Sequence, residues 1–214
     1  MNQAVDLNIF RNMPVSGSEK TAENEAIVGE FMRENYAKAD KLMLKVIVVL
    51  GVISLMMAGM HDTWLEFILI GGGSIAVPAI LIYKLPGSLL ARLSVGVSLM
   101  FFAALQIHQS HGVIEAHFAV FALLALLLYY RDWRVIATAT VVIAVHHLLF
   151  NYLQAFGFGV YIFPETGLKR VLIHAGYVVF ESSLLGLMAY QGEQSDIHSA
   201  ELHDIAGHLA VVDD

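Results

Sequence analysis

The sequence predicts an all-α, polytopic membrane protein: a bundle of six transmembrane helices with both termini inside. Three observations lead there. The composition is too apolar for a soluble domain, six apolar runs reach membrane-spanning length, and the pattern of a transmembrane strand is missing. Of 214 residues 57% are hydrophobic and only 14% charged, with a mean hydropathy of +0.67. Crossing a hydrocarbon core takes ~20 helical residues. A β-barrel would alternate with period two and carry aromatic girdles, whereas Leu123 to Leu128, and Val141 to Leu149 apart from His146 and His147, run on without alternation.

The elements follow in order. Residues 1–40 are polar with scattered apolar positions (Ile27, Val28, Phe31, Met32), which predicts a cytosolic segment holding a short surface helix after Ser16-Gly17-Ser18. The six spans are expected at Lys41 to Met60, Trp64 to Tyr83, Ser88 to Ile107, Val113 to Tyr130, Trp133 to Gln154 and Arg170 to Tyr190. Residues 41–190 thus form one membrane domain. Residues 191–214 read as the start of a cytosolic signalling helix, with Leu202, Ile205, Leu209 and Val212 at the spacing of a seam that can pair with a second copy. An output domain is expected to follow it.

Lys and Arg set the orientation. Arg33, Lys38, Lys41 and Lys45 precede or open the first span, Lys84 and Arg92 flank the second turn, and Arg131 and Arg134 the fourth, so these belong on the cytoplasmic side. The first and third turns carry neither residue type. Lys169 and Arg170 break the rule at the end of the longest outer loop, Ala155 to Lys169. With no cleavable signal ahead of it, the first span is expected to serve as its own anchor. In Tyr130-Arg131-Asp132-Trp133-Arg134, Asp132 is placed to cap the fifth span and Trp133 to sit at the interface. The chain has no cysteine, which excludes disulfides and thiolate ligands.

Seven of the ten histidines then fall in the outward half of this topology: His61, His108, His111, His117, His146, His147 and His174. His198, His203 and His208 lie in the tail. Polar groups in lipid are costly and normally face the bundle interior with a partner, so the one-sided crowd of imidazoles marks a functional region. His146 and His147, as adjacent helical residues, point about 100° apart and cannot share one ligand face. Glu115, one turn from His111 if the fourth helix begins early, and Glu181, two turns from His174, are expected to offer carboxylates beside imidazoles. Asn151 and Gln154 continue the face of His147 and are candidates to orient it.

Two ligand chemistries suit such a cluster. Haem b, one or two, needs paired imidazoles from His108, His111, His117, His146, His147 and His174, small residues for a flat space (Gly71, Gly72, Gly73, Ser74, Ala144, Gly176), and cations near its propionates, for which Lys169 and Arg170 are placed. A bare copper or zinc ion would use His61, His111, Glu115, His117, His147, His174 and Glu181, with Met56, Met57 and Met60 near His61 favouring copper(I). A zinc-dependent membrane hydrolase is a lesser alternative, since no HExxH spacing is present. A transporter or proton relay would continue polar residues to the inner face, where Ser and Thr are the polar residues expected beside the flanking charges. The bland reading is that the histidines serve helix packing through hydrogen bonds.

Three blocks, His111-Gly112-Val113-Ile114-Glu115-Ala116-His117-Phe118, Tyr130-Arg131-Asp132-Trp133-Arg134 and Ala144-Val145-His146-His147-Leu148-Leu149-Phe150-Asn151-Tyr152-Leu153-Gln154, occur in that order at helix-length spacing. Together they resemble the N-terminal membrane region of six-span methyl-accepting chemotaxis proteins over roughly residues 41 to 190. The resemblance implies a non-enzymatic signal transducer of the bacterial inner membrane, embedded in lipid and normally a homodimer. Its cytoplasmic hairpin would control a histidine kinase, with no nucleic-acid partner. That hairpin is not among these 214 residues.

Overall fold

The computed structural model describes the backbone of residues 17–212 and the side chains of residues 25–202, and every described element is helical. The helices are α1 (Gly17–His61), α2 (Trp64–Lys84), α3 (Leu89–Gln109), α4 (Ile114–Tyr130), α5 (Trp133–Ala155) and α6 (Leu168–Val212). Five of them are long and apolar enough to cross a membrane, and α4, with 3₁₀ turns at both ends, is shorter. No strand occurs among the described residues.

Residues 1–16, part of the expected cytosolic segment, lie outside the described residues. From Gly17 onward no separate surface helix forms; the polar lead-in is the first part of α1, a 45-residue helix continuous with the first apolar run. At ~1.5 Å per residue that helix is roughly twice as long as a hydrocarbon core is thick. α6 is equally long and runs without a break from the last apolar run through Leu202 to Val212. The side chains of Ile205, Leu209 and Val212 lie outside the described residues.

α3 is the centre of the bundle: 78% of its most apolar window is buried, against 28% or less in the other long helices. α1, α2, α4 and α5 pack around it, and α6 closes the assembly against α5 and α1. The surrounding helices turn large apolar side chains outward, among them Ile68, Leu69, Val77, Val141, Val145, Leu172, Phe180 and Leu184. This outward-apolar pattern is compatible with a lipid solvent. α5 shows the matching inward stripe at every fourth residue, Val135, Ala139, Ile143, His147 and Asn151. At its start it crosses α3 closely, since a Cβ on Gly96 would lie 3.2 Å from the Val135 carbonyl oxygen.

Local sequence explains the breaks. Ser88 caps α3 by accepting from the Ala91 N–H at 3.2 Å, and Asp132 caps α5 by accepting from the Arg134 N–H at 3.0 Å. α2 carries a π segment over Phe67–Gly71 and Pro78 in its interior. Gly87, at φ 71°, turns the chain between α2 and α3 where any side chain would collide with the Arg33 carbonyl, 2.3 Å from a Cβ.

The two ends of the bundle differ. One gathers the buried ion pair of Arg92 with Asp132, together with Tyr36, Asp40, Tyr130, Arg134 and Glu193. The other gathers His61, His108, His111, His117, His146, His147 and His174 with the α5–α6 loop.

Candidate functional site: two histidine-lined cavities

The seven histidines separate into groups. His117 enters from the 3₁₀ start of α4, His147 from the buried stripe of α5 and His174 from the second turn of α6. Ring centroids of His117 and His147 lie 5.5 Å apart, as do those of His117 and His174. The three rings line a small cavity of about 40 Å³, walled by Val120, Ile143, Ala144 and Val178.

Each of these imidazoles makes the same backbone bond. Nδ1 of His117 donates to Val113 O at 3.1 Å, Nδ1 of His147 to Ile143 O at 2.9 Å, and Nδ1 of His174 to Arg170 O at 3.2 Å. A carbonyl oxygen only accepts, so in each case Nδ1 carries a proton, and in the neutral form of the ring Nε2 is the atom that holds the lone pair. Nε2 of His117 is buried without any partner. An orphaned acceptor in an apolar surround is costly and calls for a donor or a Lewis acid.

Phe163, in the loop between α5 and α6, completes this group. Its side chain is fully buried, its ring stacks on His117 at 4.9 Å and 3°, and it lies 5.0 Å from His174 and 6.1 Å from His147. Sequence reasoning missed it, because a loop between elements, here residues 156–167, carries no periodicity that distinguishes one aromatic from the next. Gln154 holds the loop in place: its amide accepts from the N–H of Ile162 at 2.8 Å and donates to Phe163 O at 2.7 Å. Asn151 accepts from Gly167 N–H at 2.9 Å. The expected role of Asn151 and Gln154 in orienting an imidazole is therefore corrected. Their amides satisfy loop backbone groups that have no secondary-structure partner, and the Ile143 carbonyl orients His147.

His108 and His146 line a second, larger cavity of about 400 Å³ between α2, α3 and α5, with Glu66, Ile70, Phe101, Leu105 and Phe150 on its walls. His146 thus points away from the group that His147 joins, as the angle between adjacent helical residues requires. Its Nδ1 is buried and unpartnered, and Phe150 lies against the ring at 4.1 Å. His108 has the opposite tautomer from the other group, because its Nδ1 accepts from Tyr161 N–H at 3.1 Å. His61 and His111 stand nearer the surface, 5.6 Å apart, with Tyr161 4.7 Å from His111.

Several expected site residues lie elsewhere. His111 sits in a turn at φ 57°, not on a helix, so it shares no helical face with Glu115, and Glu115 is exposed. Glu181 is half-buried with an unpartnered Oε2 but does not line either cavity. Lys169 is exposed; Arg170 lies 5.6 Å over the Phe163 ring and bonds Glu165 O, outside the larger cavity. Of the small residues, Ala144 lines the smaller cavity, Gly71 packs against Phe67 and Leu105, and Gly176 faces outward. Met56 and Met60 also point outward.

Among the described residues, no three His, Asp or Glu side chains stand close enough to hold a metal ion in the present arrangement. Comparison with family models, with curated proteins and with solved structures finds no match.

Proposed function

We propose that this chain is the transmembrane sensory module of a bacterial signal transducer of the chemoreceptor kind, with six spans and both ends of the chain in the cytoplasm. The observation that carries the reading is the concentration of imidazoles from α3, α4, α5 and α6 around two cavities at one end, while the outgoing helix α6 is held by ion pairs at the other. The stimulus would be met inside the bundle. A shift of α6 against α5 would carry it to the cytoplasmic tail, where a second copy of the helix would pair with it.

The basic residues favour the same orientation. Lys38, Lys84, Arg92, Arg131 and Arg134 all gather at the end opposite the histidines, which the positive-inside tendency assigns to the cytoplasm of the inner membrane.

Haem b is the cofactor proposed for the larger cavity. His108 and His146 would hold the iron, and Ile70, Phe101, Leu105 and Phe150 would surround the apolar ring. The unpartnered Nδ1 of His146 supports a missing group there. When bound, the haem would supply redox or gas sensitivity through its iron. The chain's part would be to hold the ligand imidazoles, to exclude water, and to free His108 from the Tyr161 N–H. Lys169 and Arg170 do not line this cavity, so the role expected of them at the propionates is not carried over to it.

An absorption spectrum of the detergent-purified protein, as isolated and after dithionite, tests this with elemental analysis of the same sample. A Soret band that sharpens its α and β partners on reduction, and that disappears in His146→Ala, is expected. A colourless protein with stoichiometric copper or zinc would overturn the haem assignment.

A further inference from the structure

The end of the bundle opposite the histidines carries an inference that rests on the helices crossing a membrane and not on any ligand of the imidazoles. We infer that the notch between α1, α4 and α6 is a binding site for one anionic phospholipid, whose phosphate is held by Arg131 and Lys38.

The notch follows from helix length. α4 stops at Tyr130 in a 3₁₀ turn that lies against both α1 and α6, whereas those two helices, of 45 residues each, run on past it. They stay in contact beyond the stop, where Tyr36 OH donates to Glu193 at 3.3 Å. Over the end of α4 this leaves an open space of about 680 Å³. Leu126 and Leu128, in the last turns of α4, form its apolar wall, and Asn35, Lys38, Arg131 and Asp196 its polar rim. An apolar wall below a cationic rim matches an acyl chain and its headgroup, and basic pockets between transmembrane helices are where anionic headgroups bind.

Arg131 is built into this place. It follows α4 in the left-handed conformation, φ 51°, which is costly for a residue with a side chain and persists only where the surroundings hold it. Here α6 holds it: the Arg131 stem lies on Gly192, where an added Cβ would come within 3.0 Å of its Cδ and 3.1 Å of its Cγ. Its Nη1 donates to Asp196. Nε and Nη2 bond no acceptor among the described residues, and about half of the side chain is exposed. A guanidinium with that edge free takes a phosphate through two parallel hydrogen bonds.

Charge selects the lipid. Lys41 and Lys45 are exposed three and seven residues after Lys38, which puts all three on one side of α1, and stems of this length reach a headgroup from the edge of the hydrocarbon. Against Arg131 and these lysines stand Asp196 and Glu34, the latter 4.0 Å from Lys38 in a pair exposed on both sides. Such a pair is weak, so Lys38 can turn to a phosphate. Glu193 is engaged by Arg134 and Tyr36. A zwitterionic headgroup leaves the excess positive charge uncompensated, and an anionic one does not. Bound there, the headgroup would touch α1, the end of α4 and the outgoing α6 at once.

The test is native mass spectrometry of the full chain in a neutral detergent, titrated with phosphatidylglycerol and, separately, with phosphatidylcholine of the same acyl chains. The first phosphatidylglycerol should be retained at least about tenfold more tightly than phosphatidylcholine. Arg131→Gln and Lys38→Gln should each lower that preference about fivefold, whereas Lys84→Gln, a cation at the same end but outside the notch, should leave it unchanged. Lys38 is exposed, so its variant decides the matter should Arg131→Gln fail to fold. Three results overturn the inference: equal retention of the two lipids, a loss in Lys84→Gln as large as in Lys38→Gln, or displacement of the lipid by soluble glycerol phosphate. The first denies the site, the second reduces it to a general attraction to the basic end, and the third makes the ligand a free phosphate. None of these variants should alter a haem spectrum, so the outcome is separate from that of the histidine end.

Discussion

At the Arg92 end every buried charge has a partner, and at the histidine end buried polar atoms are left without one. Arg92, almost wholly buried, donates from Nε and Nη2 to Asp132 Oδ2 at 3.1 and 2.9 Å and from Nη1 to Gly87 O at 2.6 Å, while its guanidinium covers the Tyr36 ring at 3.5 Å. Asp132 also accepts from the Arg134 side chain, and Asp40 accepts from Gly87 N–H and Tyr130 OH, both at 2.8 Å. Glu193 and Asp196 of α6 join through Arg134 and Arg131. At the other end His117 Nε2 and His146 Nδ1 have no partner. The first end therefore fixes the helices, and the second holds the unpartnered groups on which the proposed ligand site rests.

Breaking the paired end should have the largest effect. Asp132→Ala leaves the Arg92 guanidinium buried and uncompensated, for which a loss of about 3 to 5 kcal/mol is expected, read as a fall in the unfolding midpoint or as loss of the monodisperse protein in detergent. Replacing both partners, Arg92→Met with Asp132→Leu, should recover part of that loss. A double variant as unstable as Asp132→Ala alone would show that the ion pair is not the source.

The histidine end should respond more mildly and more locally. Gln154→Ala removes the amide that holds Ile162 and Phe163, with an expected cost of about 1 to 3 kcal/mol. Hydrogen exchange should rise in residues 156–167 and stay unchanged around Arg92 and Asp132. Equal acceleration at both ends would mean that the two regions do not behave as separate units.

How much of this was legible in the sequence depends on whether a feature is local. The long apolar helices follow from run length alone, and the Asp132 cap from its position before Trp133. The divergence of His146 and His147 follows from helical geometry. The Arg92–Asp132 pair was not legible, because its members stand 40 residues apart and Arg92 reads as one more basic flank of a turn. Phe163 and its Gln154 clamp were invisible for a related reason. Spacing puts Gln154 near the His147 face, but not that a loop folding back would present unsatisfied backbone groups to it. The Glu115 reading failed on a turn: His111 takes a left-handed conformation and Gly112, at φ 76°, packs against the Phe163 backbone, so the helix cannot begin early enough to align the pair.

The smallest effect sharpens the comparison by pH. Burial by itself raises the Asp132 carboxyl, but the hydrogen bonds from Arg134 and the charge and hydrogen bonds of Arg92 outweigh it and hold its pKa below the ordinary carboxylate value. An unfolded aspartate titrates near ~3.9. Because the folded value is lower, the stability this group contributes is fully present above about pH 4 and is lost as pH falls through the folded pKa. The unfolding midpoint in detergent should therefore change little on account of Asp132 between neutrality and about pH 5, then fall on an acid limb. Asp132→Asn should flatten that limb, whereas His117→Phe, which alters only the histidine end, should leave it in place; an acid limb of undiminished steepness in Asp132→Asn would assign it to other carboxylates.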